Sequence, residues 1–334
     1  MRVTVLLGGA SDERDVSLAT GVQVARALRE AGHRVVAFDT ARGPLTPEEE
    51  TVLLEKGVDA HPPAPDPRDR LVEEGMDFLA RHPDAAAAQV HFIALHGGAG
   101  EDGTLQGQLD RAGVRYTGSD ADGCRVAMDK DRTKAILTDR GIPTAPWLTD
   151  CFDADEVERA LGLPVVVKAA HGGSSLRLEL AHDRPELEAA LIRARDFQDA
   201  VVVERYVKGR EFTVAILDGQ PLPVGEIIPE SELFDYECKY QPGMAQEIFP
   251  ADLDPSKAEE MQALALRVHH ALGLRDYSRV DFMMGEDGRL WCLEANTLPG
   301  LTATSLVPKA AAAAGIPFPE LCHRLVVAAA KRGS

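Results

Sequence analysis

Between residues 279 and 300 the chain reads RVDFMMGEDGRLWCLEANTLPG, with Arg279, Asp281, Glu294 and Asn296 at alternating places in two strand-like arms. Side chains alternate across a strand, so these four share one face when the arms pair. With Asp287-Gly288 as a two-residue type I′ turn, which that dipeptide favours, residue 281 faces 294, 279 faces 296 and 283 faces 292. Val280, Phe282, Met284, Trp291, Leu293 and Ala295 then form the opposite, apolar face. Three oxygen ligands beside a guanidinium suit a hard divalent cation next to an anion, because magnesium is held by few carboxylates and completed by water and phosphate oxygens. A ladder of cross-strand ion pairs explains the same residues without a metal, so other segments must decide.

Gly8-Gly9 lies between a strand and a helix, where the backbone can turn and approach a ligand closely. No G-x-G-x-x-G follows, which weakens a dinucleotide reading. Glu13, at the start of that helix, either holds a substrate ammonium or complements the helix dipole. His96 opens the loop HGGAGEDG after another strand, and spacing alone does not separate an orienting role from a structural one. Lys168 ends PVVVK, a strand whose other residues read as buried, and HGGSSL after it has the small residues, free amides and hydroxyls of a flap over phosphates. Lys130 and Lys168 can each neutralise a phosphate oxygen. There is no Walker P-loop, no G-x-S-x-G elbow and no H-E-x-x-H zinc motif.

The elements that must position these residues are legible as alternations of strand and helix. RVTVLL, a Gly-rich turn, a helix and HRVVAFDT form a βαβ opening with a parallel sheet, and VHFIAL continues it. The Pro-rich, acidic stretch from Arg42 to Asp69 reads as an irregular excursion. A helix over DGCRVAMDKDRTKAILTDRGIP opens a second unit, followed by PVVVKAA, the loop HGGSSLRLEL, a helix over RPELEAALIRARD and AVVVERYV. EFTVAIL, a helix over SKAEEMQALALRVHHALGL, the hairpin and a terminal helix complete a third. The expected division is 1–118, 119–203 and 204–334.

The chain has 334 residues, long enough for several cores, and a net charge of −18. Such acidity disfavours a nucleic-acid groove or an anionic membrane surface. Five cysteines without a C-x-x-C pair fit a reducing cytoplasm. No signal-peptide core or membrane-length apolar run is present in the sequence.

Taken together, LLGGASDERDVSLATG, FIALHGGAGEDGTLQG, YTGS with AMDKDRTK, VVKAAHGGSS, VVVERYVKGREFTVAIL, FDYECKY, RVDF and LEANTLPGLTATSLVP resemble the D-alanine-D-alanine ligases of the ATP-grasp superfamily over nearly the full chain. The resemblance implies a mixed α/β and α+β fold of three domains, the first a parallel-sheet (preATP-grasp) domain. It implies that ATP lies between two sheets, with Lys130, Lys168, Ser174, Ser175 and Lys239 near its phosphates and Glu204 and Glu211 at its adenine amine and ribose hydroxyls. Asp281, Glu294 and Asn296 then hold two magnesium or manganese ions, which would answer the question the hairpin raises. A monovalent cation is left open.

The implied reaction joins two D-alanines for peptidoglycan. One carboxylate attacks the γ-phosphate to give an acyl phosphate and ADP, and the amine of the second D-alanine displaces phosphate. Arg279 and the Gly300 amide stabilise the oxyanion, Glu13 anchors the first ammonium with His96 nearby, and Glu13, Ser174 and Tyr240 share a network joining the loops. Ser305 and Lys239 receive the second carboxylate beside Leu306. A homodimer through the first domain is what the family suggests. Departures from the family pattern are Arg177 where the flap has glycine, Phe234 for a frequent tyrosine and Ala169 for proline. Two rivals stay open: a related ligase using D-lactate, D-serine or another amino acid, and an ATP-binding regulatory protein that has lost turnover through the altered flap.

Overall fold

The computed structural model describes residues 1–56, 58, 82–172, 178–197, 199–229 and 244–332. Ser174, Ser175, Arg177, Phe234, Lys239 and Tyr240 lie outside the described residues.

Strands β1 (Arg2–Leu7), β2 (Arg34–Asp39), β3 (Gly43–Pro44) and β4 (Val90–Ile93) make the first sheet, in the order β3-β2-β1-β4. As expected, β1 runs parallel to both β2 and β4. Helix Arg14–Glu30 packs on it through Leu18, Val22 and Leu28. Gly21 brings that helix against the sheet, since a Cβ there would stand 2.3 Å from Leu7 Cβ. The stretch after Arg42 is not wholly irregular: Pro47–Lys56 is a helix. Thr46 and Glu49 cap it reciprocally, with the Glu49 amide donating to Thr46 Oγ1 at 3.2 Å and the Thr46 amide to Glu49 Oε2 at 2.8 Å.

The second sheet contains β5 (Trp147–Thr149), β6 (Val165–Ala169), β7 (Leu178–Ala181) and β8 (Val201–Arg205), antiparallel in the order β5-β8-β6-β7. The expected loop from His171 therefore gives way to a strand at Leu178. Helices Ala154–Leu161 and Arg184–Ala194 cover one face through Val157, Leu161, Leu187 and Leu191, which meet Val165, Val167, Val201 and Val203. The period of two then turns Lys168 and Glu204 to the other face.

The third sheet contains β9 (Gly209–Leu217), β10 (Gln220–Pro221), β11 (Gly225–Pro229), β12 (Ala245–Ile248), β13 (Tyr277–Gly285) and β14 (Leu290–Asn296). Its path is β12-β11-β9-β13-β14, with β10 on β9. Helix Pro255–Ala271 fills one face with Met261, Ala265 and Val268 against Phe212, Val214, Val280 and Phe282. The opposite face carries Glu211 and Thr213 beside Met283 and Asp281, their cross-strand partners.

The β13–β14 hairpin corrects the sequence reading in two places whose effects cancel at the polar end. The Gly288 amide donates to Gly285 O at 2.8 Å and the Gly285 amide to Arg289 O at 2.9 Å, with Gly288 at φ +76. That is a three-residue loop with a left-handed glycine, not a two-residue turn. Phe282 consequently pairs with Cys292 and Met283 with Trp291, one position away from expectation. A bulge at Leu293 then restores the register, so Asp281 faces Glu294 and Arg279 faces Asn296 as expected. Within the shifted stretch the faces exchange. Leu290 and Cys292 enter the core, while Trp291 shares the face of Met283, and Leu293 and Met283 both line a cavity.

The helix expected after residue 119 is two helices, Ala121–Met128 and Lys130–Asp139. Asp129 breaks it at φ −91, ψ 104 and caps the second part by accepting from the Arg132 amide. Val126, Leu137 and Ile142 pack into the core of the third sheet. Helices Leu306–Ala313 and Phe318–Lys331 return to the first sheet, where Val307, Leu321, Leu325 and Val326 join Val5 and Phe92 in one core. Arg332 pairs with Asp276 and donates to the Tyr116 and Gly118 carbonyls. Among the described residues no helix is long and apolar enough to cross a membrane.

Candidate active site

Two loops of the first sheet's carboxyl ends are laced together. Gly8 and Gly9 take φ +74 and +78, and a Cβ on Gly8 would stand 2.3 Å from Asp39 Oδ1. Asp39 accepts two bonds from the buried Arg14 guanidinium, which also donates to Gly9 O at 2.7 Å. Ser11 Oγ donates to His96 O at 2.6 Å, and the His96 amide donates to Ser17 Oγ at 2.8 Å. This frame holds Glu13, only 7 % exposed, at the helix start and beside Gly97. His96 Nε2 lies 3.0 Å from Thr20 Oγ1 and its Nδ1 3.5 Å from Glu101 Oε1. It braces the loop that carries Glu13 and lines neither of the two cavities that follow.

Glu13 and Gly97 form one wall of a cavity of about 370 Å³ whose other walls include Lys130, Lys168, His171 and Glu294. All three sheets contribute to it. The Asp129 break delivers Lys130: its backbone amide donates to Ala170 O at 3.0 Å and its Nζ to Gly172 O at 2.7 Å. Beside it, a cavity of about 300 Å³ lies between the second and third sheets, lined by Lys168, Glu204, Glu211, Asp281, Glu294 and apolar residues such as Val166, Ile227, Met283 and Leu293. Apolar walls with a few convergent polar groups suit a small-molecule ligand.

Lys168 Nζ donates to Glu204 Oε1 at 2.5 Å, and Lys134 Nζ lies 2.7 Å from Oε2 of the same carboxylate. Burial alone would raise the Glu204 acid, but the ammonium groups of Lys134 and Lys168 overcome it and bring its pKa down to about 2. Glu204 is thus ionised throughout the physiological range. Lys134 escaped the sequence reading, although its spacing of four from Lys130 in one helix was a signal that both point the same way.

On the third sheet, Arg279 chelates Asp281 through Nε at 2.9 Å and Nη2 at 2.8 Å. Thr213 Oγ1 donates to Asp281 Oδ1 at 2.7 Å. The Asn296 amide nitrogen meets Asp281 Oδ2 at 3.1 Å and Glu294 Oε1 at 3.4 Å, so both carboxylates converge on it. These donors fit a hard divalent cation: two carboxylates from paired positions on rigid strands, with an amide whose rotation presents a third oxygen. Among the described residues no group of three His, Cys, Asp or Glu is disposed to hold a metal.

Gly300, Ser305 and Leu306 lie together but line neither of these two cavities. A Cβ on Gly300 would stand 2.9 Å from Ser305 Oγ, which explains a glycine there. Ser305 Oγ accepts from the Thr302 amide at 3.1 Å, and Leu306 is buried at the start of its helix.

Residues 2–119 match the family described as D-ala D-ala ligase N-terminus, and residues 136–327 the D-ala D-ala ligase C-terminus. The D-alanine–D-alanine ligase of Desulfotalea psychrophila is 41% identical, covering 98% of this chain and 94% of that protein. That of Acinetobacter baumannii is 39% identical, covering 96% and 94%. The crystal structure of D-alanine–D-alanine ligase from Bacillus anthracis superimposes with a TM-score of 0.77 at 32% identity, covering 98% of this chain and 97% of that one. The same enzyme complexed with ATP gives a TM-score of 0.76. With both family halves matched and full-length relatives of this identity, the chain belongs to the D-alanine–D-alanine ligase family.

Proposed function

We propose that this chain is an ADP-forming ligase that joins two D-alanines into D-alanyl-D-alanine through a D-alanyl phosphate, for peptidoglycan synthesis. The observation that carries the reading is the gathering of Glu13, Lys130, Lys168 and Glu294 around one cavity of about 370 Å³, at the meeting of three sheets. The family membership supplies the substrates, ATP and D-alanine.

In this reading adenosine occupies the cavity between the second and third sheets, with Glu204 at the adenine amine and Glu211 at the ribose. Lys130 and Lys168 meet the phosphates, and Ser174, Ser175 and Lys239 belong to the same set. Asp281, Glu294 and Asn296 would hold two magnesium or manganese ions, whose charge is shared with the oxygens of the transferring phosphoryl group. Glu13 binds the ammonium of the first D-alanine. The carboxylate oxygen of this first D-alanine bonds to the γ-phosphorus as the bond to the bridging oxygen breaks and ADP leaves.

The deprotonated amine of the second D-alanine then attacks the acyl carbon. A C–N bond forms, the oxyanion rests on Arg279 and the Gly300 amide, and phosphate leaves as the C–O bond breaks. Ser305 and Lys239 receive the second carboxylate, with Leu306 packed beside it. Tyr240 and Ser174 share the network with Glu13 and exclude water from the acyl phosphate. The units 1–118, 119–203 and 204–334, a homodimer through the first, and a cytoplasmic setting with free thiols complete the proposal.

The test is ADP release from ATP and magnesium with and without D-alanine, with products weighed by mass spectrometry. One dipeptide per ADP is expected. Release that follows D-lactate or D-serine instead overturns the second-substrate assignment, and ATP binding without acceptor-dependent release overturns the ligase reading.

A further inference from the structure

Lys134 has no place in the roles above, yet among the described residues it is the most enclosed cation of the site. Its side chain is 1% exposed. Its ammonium meets three acceptors: Thr144 Oγ1 at 2.9 Å, Ala145 O at 3.1 Å and Glu204 Oε2 at 2.7 Å. It donates hydrogen bonds to the first two and forms an ion pair with the third. Thr144 Oγ1 donates onward to Cys292 O at 2.9 Å, two residues before Glu294. Lys134 therefore ties the helix that begins at Lys130 to the second sheet and, through Thr144, to the third. It lines neither of the two cavities, whereas Lys168 lines both.

The charges of the trio decide what this arrangement does. Glu204 is sealed between two ammonium groups, one on each oxygen. A carboxylate paired with Lys168 alone would cancel the charge that Lys168 presents to an anion. With Lys134 on the other oxygen, the trio sums to one positive charge, and that charge faces the cavity at Lys168. We propose that Lys134 is a positioning residue whose buried charge neutralises Glu204, so that Lys168 keeps its full attraction for nucleotide phosphates while Glu204 stays fixed for the base. This deepens the ligase reading and rests on it for the identity of the anion. The burial cost is visible in Lys134 itself, whose pKa is lowered by desolvation against the lift from Glu204.

The experiment compares ATP and adenosine binding by calorimetry to the full chain and to Lys134→Met, Lys134→Arg and the double variant Lys134→Met/Glu204→Gln. In Lys134→Met the ratio of ATP to adenosine affinity is expected to fall about tenfold, the scale of one screened charge at short range. Lys134→Arg keeps the ratio. The double variant loses one charge of each sign and restores the ratio to within about threefold of the parent, and it needs no uncompensated buried carboxylate to fold. An unchanged ratio in Lys134→Met, or a ratio in the double variant no better than in Lys134→Met, overturns the proposal. If Lys134→Met does not fold, a double variant that folds and keeps the parent ratio supports the proposal, and one with a tenfold lower ratio overturns it. D-alanine is absent throughout, so failure of the ligase reading shows in the ADP assay and failure of the Lys134 role shows here.

Discussion

The lysine corner and the carboxylate corner of the site are built from the same parts with opposite counts. Lys134 and Lys168 enclose Glu204, two positive charges on one negative. Arg279 chelates Asp281 beside Glu294, one positive charge among two negatives. Each corner uses a fixed ion pair to orient a further charge, and the signs of those charges are opposite. Because Lys168 and Glu294 line the same two cavities, the molecule sets an anion seat next to a cation seat on two sheets. That juxtaposition suits a phosphoryl group accompanied by a divalent cation.

The largest effect is expected where the carboxylate corner is broken. Glu294→Gln and Arg279→Ala should each lower turnover by about a hundred- to a thousandfold, the scale for losing a preorganised transition-state contact. Circular dichroism should stay near the parent in both and melting near the parent in Glu294→Gln, whereas Arg279→Ala leaves the buried Asp281 carboxylate without its guanidinium and should melt lower. Near-normal turnover in either would remove that corner from the chemistry.

A smaller effect, on stability rather than rate, sharpens the lysine corner. Glu204 is held at about 2 against an ordinary 4.5. A depressed carboxylate contributes stability that is fully present above its unfolded value and is lost as pH falls through the folded one. Melting temperature should therefore drop between pH 4.5 and about 2 in the parent. Glu204→Gln should be less stable at neutral pH and flatter across that window. A parallel pair of curves would contradict the double clamp. The smallest effect lies outside both corners: Thr46→Ala removes half of the capping box and should cost about 1 kcal/mol in denaturant unfolding, with unchanged kinetics.

What the sequence made legible follows from the range of the forces involved. Alternation in β13 and β14 placed Arg279, Asp281, Glu294 and Asn296 on one face, and the resemblance put Lys130 and Lys168 on the ATP phosphates and Glu13 on the first D-alanine. The pairing of Asp281 with Glu294 was reached although the turn was misread, because the loop gained one residue and the bulge at Leu293 absorbed it. The Thr46-Pro47-x-Glu49 signature marks the helix start in a stretch whose proline content otherwise reads as irregular. Asp129 likewise carried a capping signal inside what looked like one helix. Lys134 was different. Its spacing of four from Lys130 gives it a direction, but its burial depends on Glu204, a partner far along the chain.

The return of the last helices to the first sheet has a consequence for dividing this polypeptide. Leu321, Cys322, Leu325, Val326 and Ala329 share a core with Val3, Val5, Phe38 and Phe92, and Arg332 fastens the end to the Tyr116–Gly118 segment. A fragment stopping near residue 118 would expose the apolar surface those side chains cover, and the remaining piece would carry a helix with no sheet to lie on. The two halves recognised by sequence are therefore not two interchangeable cassettes. A chimera that swaps the first half between relatives must carry its own final helix with it.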